Sequence, residues 1–225
     1  MPYAIPSKKL VFFFCPKSGG TSLRAFLYHV ENGFPYRESY VQGYKSDANS
    51  LIRNRRFRRA FQTNYQDFRR YALLRDPVRR FLSGYSNKVI AERVLSLEKL
   101  DERVPGHGLE PDPTLEEFVD QFADYFESVG TIGRHFSKQQ AWIGNDPEFY
   151  EKIFRLDRVQ ELVDYTNNAF SSEAVMPRLR TEGPRIEVTE LDPGLRRKIV
   201  NLVSDDIAFD VFPDMKDAYA TELCA

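Results

Sequence analysis

Six residues in the stretch "CPKSGGTSL" have the types and spacing to bind a phosphate: Lys17, Ser18, Gly19, Gly20, Thr21 and Ser22. They follow a short apolar run, Leu10 to Cys15, and precede Leu23, Phe26, Leu27 and Val30 at i, i+3, i+4 and i+7. The run reads as a buried strand and the spacing as one face of a helix. Glycines at the junction let the backbone turn tightly and expose N–H groups, and the helix start adds its dipole and free N–H donors. Lys17 adds a full charge, and Thr21 and Ser22 add hydroxyl donors. A plain βα turn with a cap is the bland alternative. A nucleoside triphosphatase fits poorly, because G-x-x-x-x-G-K-[ST] places its lysine after the glycines and Lys17 stands before them.

A second stretch, "LLRDPVRRFLSGYSN" (residues 73–87), offers an arginine fork and hydroxyls. A strand over Tyr71–Leu74 leads to Arg75, at the carboxyl end where ligands bind in open parallel sheets. Asp76 and Pro77 supply an N-cap and a first-turn proline. Arg79, Ser83 and Asn87 then share a helix face. Arginine with a hydroxyl suits a terminal phosphate monoester; a well-capped, solvated basic helix is the alternative.

Taken together, the two stretches resemble the sulfotransferases that use 3′-phosphoadenosine 5′-phosphosulfate. "PKSGGTSL" is similar to their 5′-phosphosulfate loop and "RDPVRRFLSGY" to their 3′-phosphate motif, about fifty residues apart as in that family. The segments "RHFSKQQAWIG", "KIFRLDRVQELV" and "LDPGLRRKIVNLVSDDIAFDVF" resemble the carbohydrate branch and its bacterial relatives more weakly. The resemblance implies that Lys17 contacts the 5′-phosphate and the bridging oxygen. Ser18, Gly19, Gly20, Thr21 and Ser22 would hold the 5′-phosphate, and Arg75 and Ser83 the 3′-phosphate, with Arg79 in support. It implies sulfuryl transfer to an acceptor hydroxyl, most naturally on a carbohydrate, with no metal required. His135, in a His-x-x-x-Gln element, is the candidate base. Many relatives carry a Gly-His pair where this chain reads "VQGYKS", so Glu31 and Glu38 stay open as alternatives. So do two other functions: a nucleotide- or glycan-binding protein without turnover, and a magnesium-dependent kinase-like transferase.

These elements belong to a chain of 225 residues with 42% hydrophobic and 29% charged residues. That length and composition allow one α/β domain with a packed core. The expected fold is a single domain, residues 1–225, with a central parallel sheet covered by helices on both faces, P-loop-like at its first βα junction. The net charge of −1 argues against general polyanion binding. Locally, residues 53–80 hold ten arginines against two aspartates, a surplus of eight positive charges. This segment reads as a solvated basic helix over 51–70, or as a field that draws in an anionic donor or acceptor. It carries no aromatic-interleaved RNA signature, so nucleic acid is not an expected partner. Cys15 and Cys224 make neither a disulfide framework nor a metal site. No apolar run approaches a membrane span, and with Met1 as the natural start a cytoplasmic protein is expected. Thr114 to Glu117 reads as a capping box, Lys152–Leu156 as a third strand, and Asp157 as the cap of a helix over Val159–Phe170. Asp192–Pro193 opens a last helix. The segment 177–185, "PRLRTEGPR", reads as a lid or as plain surface loop. Trp142, Phe149 and Tyr150 are candidates for stacking on a sugar.

Overall fold

A computed structural model describes residues 2–41, 44–52, 55–104, 108–179, 182–209 and 212–223. In chain order its elements are β1 (Tyr3–Ile5), β2 (Leu10–Phe14), α1 (Gly20–Asn32), β3 (Ser39–Val41), β4 (Tyr44–Ser46), α2 (Ala48–Leu51), α3 (Ala60–Asn64), β5 (Arg69–Leu74) and α4 (Pro77–Gly84). There follow α5 (Leu97–Arg103), α6 (Leu115–Asp120), α7 (Phe122–Ser128), α8 (Gly130–Phe136), α9 (Gln140–Ile143), β6 (Lys152–Arg155), α10 (Val159–Phe170), α11 (Pro193–Leu202), α12 (Ser204–Ala208) and α13 (Pro213–Leu223). The chain separates into two compact units, Met1–Arg75 with Gln139–Thr181 and Asp76–Lys138 with Glu182–Ala225. Among the described residues no helix is long and apolar enough to cross a membrane.

The first unit is built on a four-stranded sheet of order β1-β2-β5-β6. β2, β5 and β6 run parallel, with Phe14 beside Leu73 and Leu74 beside Arg155. The parallel core is as expected; β1 departs from it, pairing antiparallel with β2 at the edge. All five residues of β2 are buried, which explains a run without alternation. Leu10, Phe12 and Phe14 face one side, packed with Leu23, Phe26 and Leu27 of α1 and Leu162 and Val163 of α10. Phe13 points the other way, into an aromatic cluster of Phe57, Phe61, Tyr65, Phe149 and Tyr150 with ring centroids 5.5–6.0 Å from its own.

That cluster explains why the basic helix expected over 51–70 does not form. α3 covers only Ala60–Asn64, and residues 55–58 are non-helical. Phe57 turns its ring onto Phe13, and its N–H donates to the Ala141 carbonyl (2.9 Å), a partner no helix would give it. Four exposed arginines, Arg55, Arg56, Arg58 and Arg59, flank it and repel one another in any compact turn. Trp142, Phe149 and Tyr150 are buried, so they pack this unit and offer no exposed platform for a sugar.

Where β5 starts, Arg69 Nη2 meets Glu151 Oε1 at 2.8 Å, and the Tyr165 hydroxyl donates to the same oxygen at 3.0 Å. The Arg69 hydrogen bond, ahead of the others, holds the Glu151 carboxyl below the ordinary carboxylate range. The stabilisation is therefore present above that range and fades as pH falls through and below it. Glu151→Gln is expected to lower the melting temperature at pH 7, with the gap to the unaltered protein closing below about pH 4. Thermal unfolding across pH 3–7 checks this; a pH-independent gap would contradict it.

The second unit is helical. Asp76 Oδ1 accepts the Arg79 N–H (2.8 Å) and Pro77 occupies the first turn, the expected start of α4. The helix runs on as a π-helical stretch, Tyr85–Ala91. Phe81, Tyr85 and Val89 are buried with Phe118 of α6, Phe136 of α8 and Ile199 and Val200 of α11. Thr114 and Glu117 form the expected capping box, and Asp192 caps α11. Asp157 does not cap α10: Arg158 occupies the cap position, and Asp157 pairs with Arg155 at 2.8 Å. A charged partner two residues away competes successfully with weak backbone donors.

Candidate functional site

Lys17 sits in the left-handed region at φ 69° and Gly19 at φ 78°. The Ser18 hydroxyl donates to the Cys15 carbonyl (2.7 Å) and Leu23 N–H reaches Gly19 O (2.9 Å), so the chain turns hard and enters α1 at once. The positive φ favours glycine at Gly19, and the Phe14 ring leaves little room for a side chain at Gly20. A Cβ at Gly19 would lie 2.7 Å from Leu156, and one at Gly20 would lie 2.8 Å from the Phe14 ring. The first turn of α1 leaves the N–H groups of Gly20, Thr21 and Ser22 without intrahelical acceptors. This is an anion-binding arrangement at the start of a thirteen-residue helix. A lysine held in αL is strained by roughly 1–2 kcal/mol, and such strain collects at functional sites.

The Thr21 and Ser22 hydroxyls of the expected donor loop both have protein partners. Thr21 Oγ1 donates to Asn49 Oδ1 (2.9 Å), so its proton is already in use, and Thr21 offers a ligand its backbone N–H. Ser22 Oγ accepts the Leu179 N–H (3.0 Å), fastening the first part of the 177–185 segment to the start of α1. Arg180 and Thr181 lie outside the described residues. Asn49 also accepts from Arg24 Nη1 (3.1 Å), and Arg24 lies 4.6 Å from the Phe14 ring centroid and donates to Ile52 O. Asn49 is thus the residue that orients Thr21. Nothing in its sequence context marks it, because the contact spans 28 positions.

Arg75 leaves the end of β5, and its Nη1 donates to the Lys17 carbonyl (3.1 Å). The two predicted donor contacts, 58 positions apart, are brought together within this unit. Gln139 binds the same corner. Its Oε1 accepts the Arg75 N–H (3.2 Å) and the Cys15 thiol (3.2 Å), and its Nε2 donates to Arg75 O (2.9 Å).

Glu31 lies in the last turn of α1 and accepts from the Tyr3 hydroxyl (3.1 Å). Eleven residues of helix put it about 16 Å along the axis from Gly20, too far to serve a reaction at the loop. Glu38 is exposed ahead of β3. In "VQGYKS", Gln42 and Gly43 lie outside the described residues, as does His107.

Within the second unit, Ser83 is half-buried in the last turn of α4, and His135 is half-buried in the last turn of α8. The Arg79 side chain is exposed. Arg80 is the buried arginine: its Nη1 pairs with Asp206 (3.3 Å), and its Nη2 donates to the carbonyls of His135 and Ser137. Arg80 thus braces the helices of this unit.

A sequence model described as "Sulfotransferase family" matches residues 4–209, most of the chain and both phosphate-type motifs. The chain belongs to the sulfotransferase family. No curated protein and no solved structure matched it. The family transfers sulfuryl groups, and in this sulfotransferase the arginine after β5 hydrogen-bonds the loop after β2.

Proposed function

We propose that this sulfotransferase moves a sulfuryl group from 3′-phosphoadenosine 5′-phosphosulfate to a hydroxyl on a carbohydrate. The observation that carries the reading is the hydrogen bond from Arg75 to the carbonyl of Lys17. It joins an arginine fork to an anion-binding loop at neighbouring strand ends, as a donor with two phosphates requires. In the reaction, the acceptor oxygen bonds to sulfur as the bond from sulfur to the 5′-phosphate oxygen breaks. The acceptor proton passes to a base, and charge grows on the departing oxygen. Lys17, with the N–H groups of Gly19 to Ser22, meets that charge, and Arg75 holds the 3′-phosphate. Ser83 as a second 3′-phosphate contact and His135 as base keep the roles their motifs suggest. A cytoplasmic location is likewise proposed.

A cavity of about 590 Å³ in the first unit supports a sugar acceptor. Tyr28, Phe34, Tyr36, Arg37, Ser46 and Ser50 line it. Phe34 is 56% exposed, with its ring 5.7 Å from that of Tyr28, and Tyr36 is anchored by its hydroxyl on Ser46 O (3.0 Å). Aromatic faces suit the C–H faces of a sugar ring, and serine hydroxyls suit its hydroxyls. Ser50 adjoins Asn49, the residue that holds Thr21.

Calorimetric titration with 3′,5′-adenosine bisphosphate, AMP and ATP–magnesium tests the donor. Micromolar binding of the bisphosphate, with AMP much weaker, is expected. Arg75→Ala should bring the bisphosphate down to AMP-like affinity. Preference for ATP–magnesium would favour a kinase-like transferase and overturn the reading. Transfer of labelled sulfate to oligosaccharides tests the acceptor, and binding without transfer to any sugar or alcohol would favour a protein without turnover.

A further inference from the structure

Gln139 touches the residues just past the ends of both strands, the one feeding the donor loop and the one leading to Arg75. It is 2% exposed. Its amide meets the backbone of Arg75 with both edges, accepting at 3.2 Å and donating at 2.9 Å. A neighbouring strand would bond a residue in the same way, yet here a side chain does it, one residue past the end of β5. The Oε1 atom also takes the thiol of Cys15, one residue past the end of β2. β2 and β5 are parallel neighbours, and beyond Phe14 and Leu73 their chains diverge, one into the Lys17 loop and the other into α4.

We infer that Gln139 is a positioning residue for the donor site: it fixes the Arg75 backbone, so that the guanidinium reaches the Lys17 carbonyl and stands ready for the terminal phosphate. The inference rests on the donor proposed above. Backbone polar groups at a strand end, away from water, need partners, and the amide of Gln139 supplies both for Arg75. Without it the Arg75 peptide loses these two bonds, the bond from Arg75 Nη1 to Lys17 O (3.1 Å) rests on a less fixed base, and the arginine is less well pre-set for a ligand. Gln139 makes no proton transfer and is not a catalytic residue.

The test uses Gln139→Met, which keeps the volume and removes the hydrogen bonds, and Arg75→Ala, singly and combined. Calorimetry with 3′,5′-adenosine bisphosphate and with AMP is one arm. Amide hydrogen exchange at Arg75 is the other. Gln139→Met should weaken the bisphosphate about tenfold and AMP less, because the loss falls on the 3′-phosphate contact. In the Arg75→Ala background it should add no further loss, since the residue it positions is gone. Arg75 amide protection should fall in Gln139→Met. A merely structural glutamine would lower both ligands equally and add to Arg75→Ala; that result, or unchanged bisphosphate affinity, overturns the inference. If the unaltered protein ignores the bisphosphate, the donor reading fails instead, and the exchange arm still decides whether Gln139 holds the Arg75 backbone.

Discussion

Lys17→Ala is expected to lower the rate of sulfuryl transfer by about 10²–10³-fold or more, the usual cost of removing a fixed donor from a developing oxyanion. Its ammonium is proposed to sit where charge appears on the leaving oxygen, so the loss falls mainly on kcat and less on affinity for the bisphosphate product. The backbone separates this effect from damage to the fold. Lys17 occupies φ 69°, a conformation that costs alanine as much as lysine and glycine almost nothing. Lys17→Gly should therefore be at least as stable as Lys17→Ala and equally slow. Initial rates with labelled donor, beside thermal unfolding of both variants, check the pair. Rates within threefold of the unaltered protein would remove Lys17 from the chemistry.

The largest expected loss of stability belongs to Arg80. Its side chain and that of Asp206 are each 3% exposed, and the guanidinium also serves the carbonyls of His135 and Ser137. Arg80→Ala takes the guanidinium away from a buried carboxylate and one donor from each of two carbonyls, so unfolding free energy should fall by about 3–5 kcal/mol. The double variant Arg80→Met with Asp206→Leu should recover part of that loss, because it removes both charges and fills their volume. It should not recover all, since the two carbonyls still lose the Arg80 donor. Urea unfolding of the single and double variants decides the matter. A loss below 1 kcal/mol in Arg80→Ala would show that water or another cation replaces it.

Much of the frame follows from local pattern. The buried run at β2, the α1 face of Leu23, Phe26, Leu27 and Val30, the Asp76–Pro77 start of α4, the Thr114 box and the opening of α11 all show as patterns a few residues long, where residue type dictates local geometry. The same holds for the loop, since two glycines and a lysine between strand and helix have few other arrangements. The local pattern failed where a distant partner outbid it. Phe57 left its helix for Phe13, forty-four positions away. Arg79 and Arg80 are equivalent by type, yet only one rotates toward Asp206, 126 positions on.

The sequence by itself determined the parallel α/β core, the glycine-rich strand–helix junction and the family, because each is carried by short-range spacing. Only the tertiary structure decided which side chains support that junction. Asn49, Gln139 and Arg24 act through hydrogen bonds whose partners lie 25 to 124 positions away, and Phe34 in place of Trp142 presents an exposed ring. A buried polar group takes whichever partner the packed chain brings within about 3 Å, and residue order does not encode that distance.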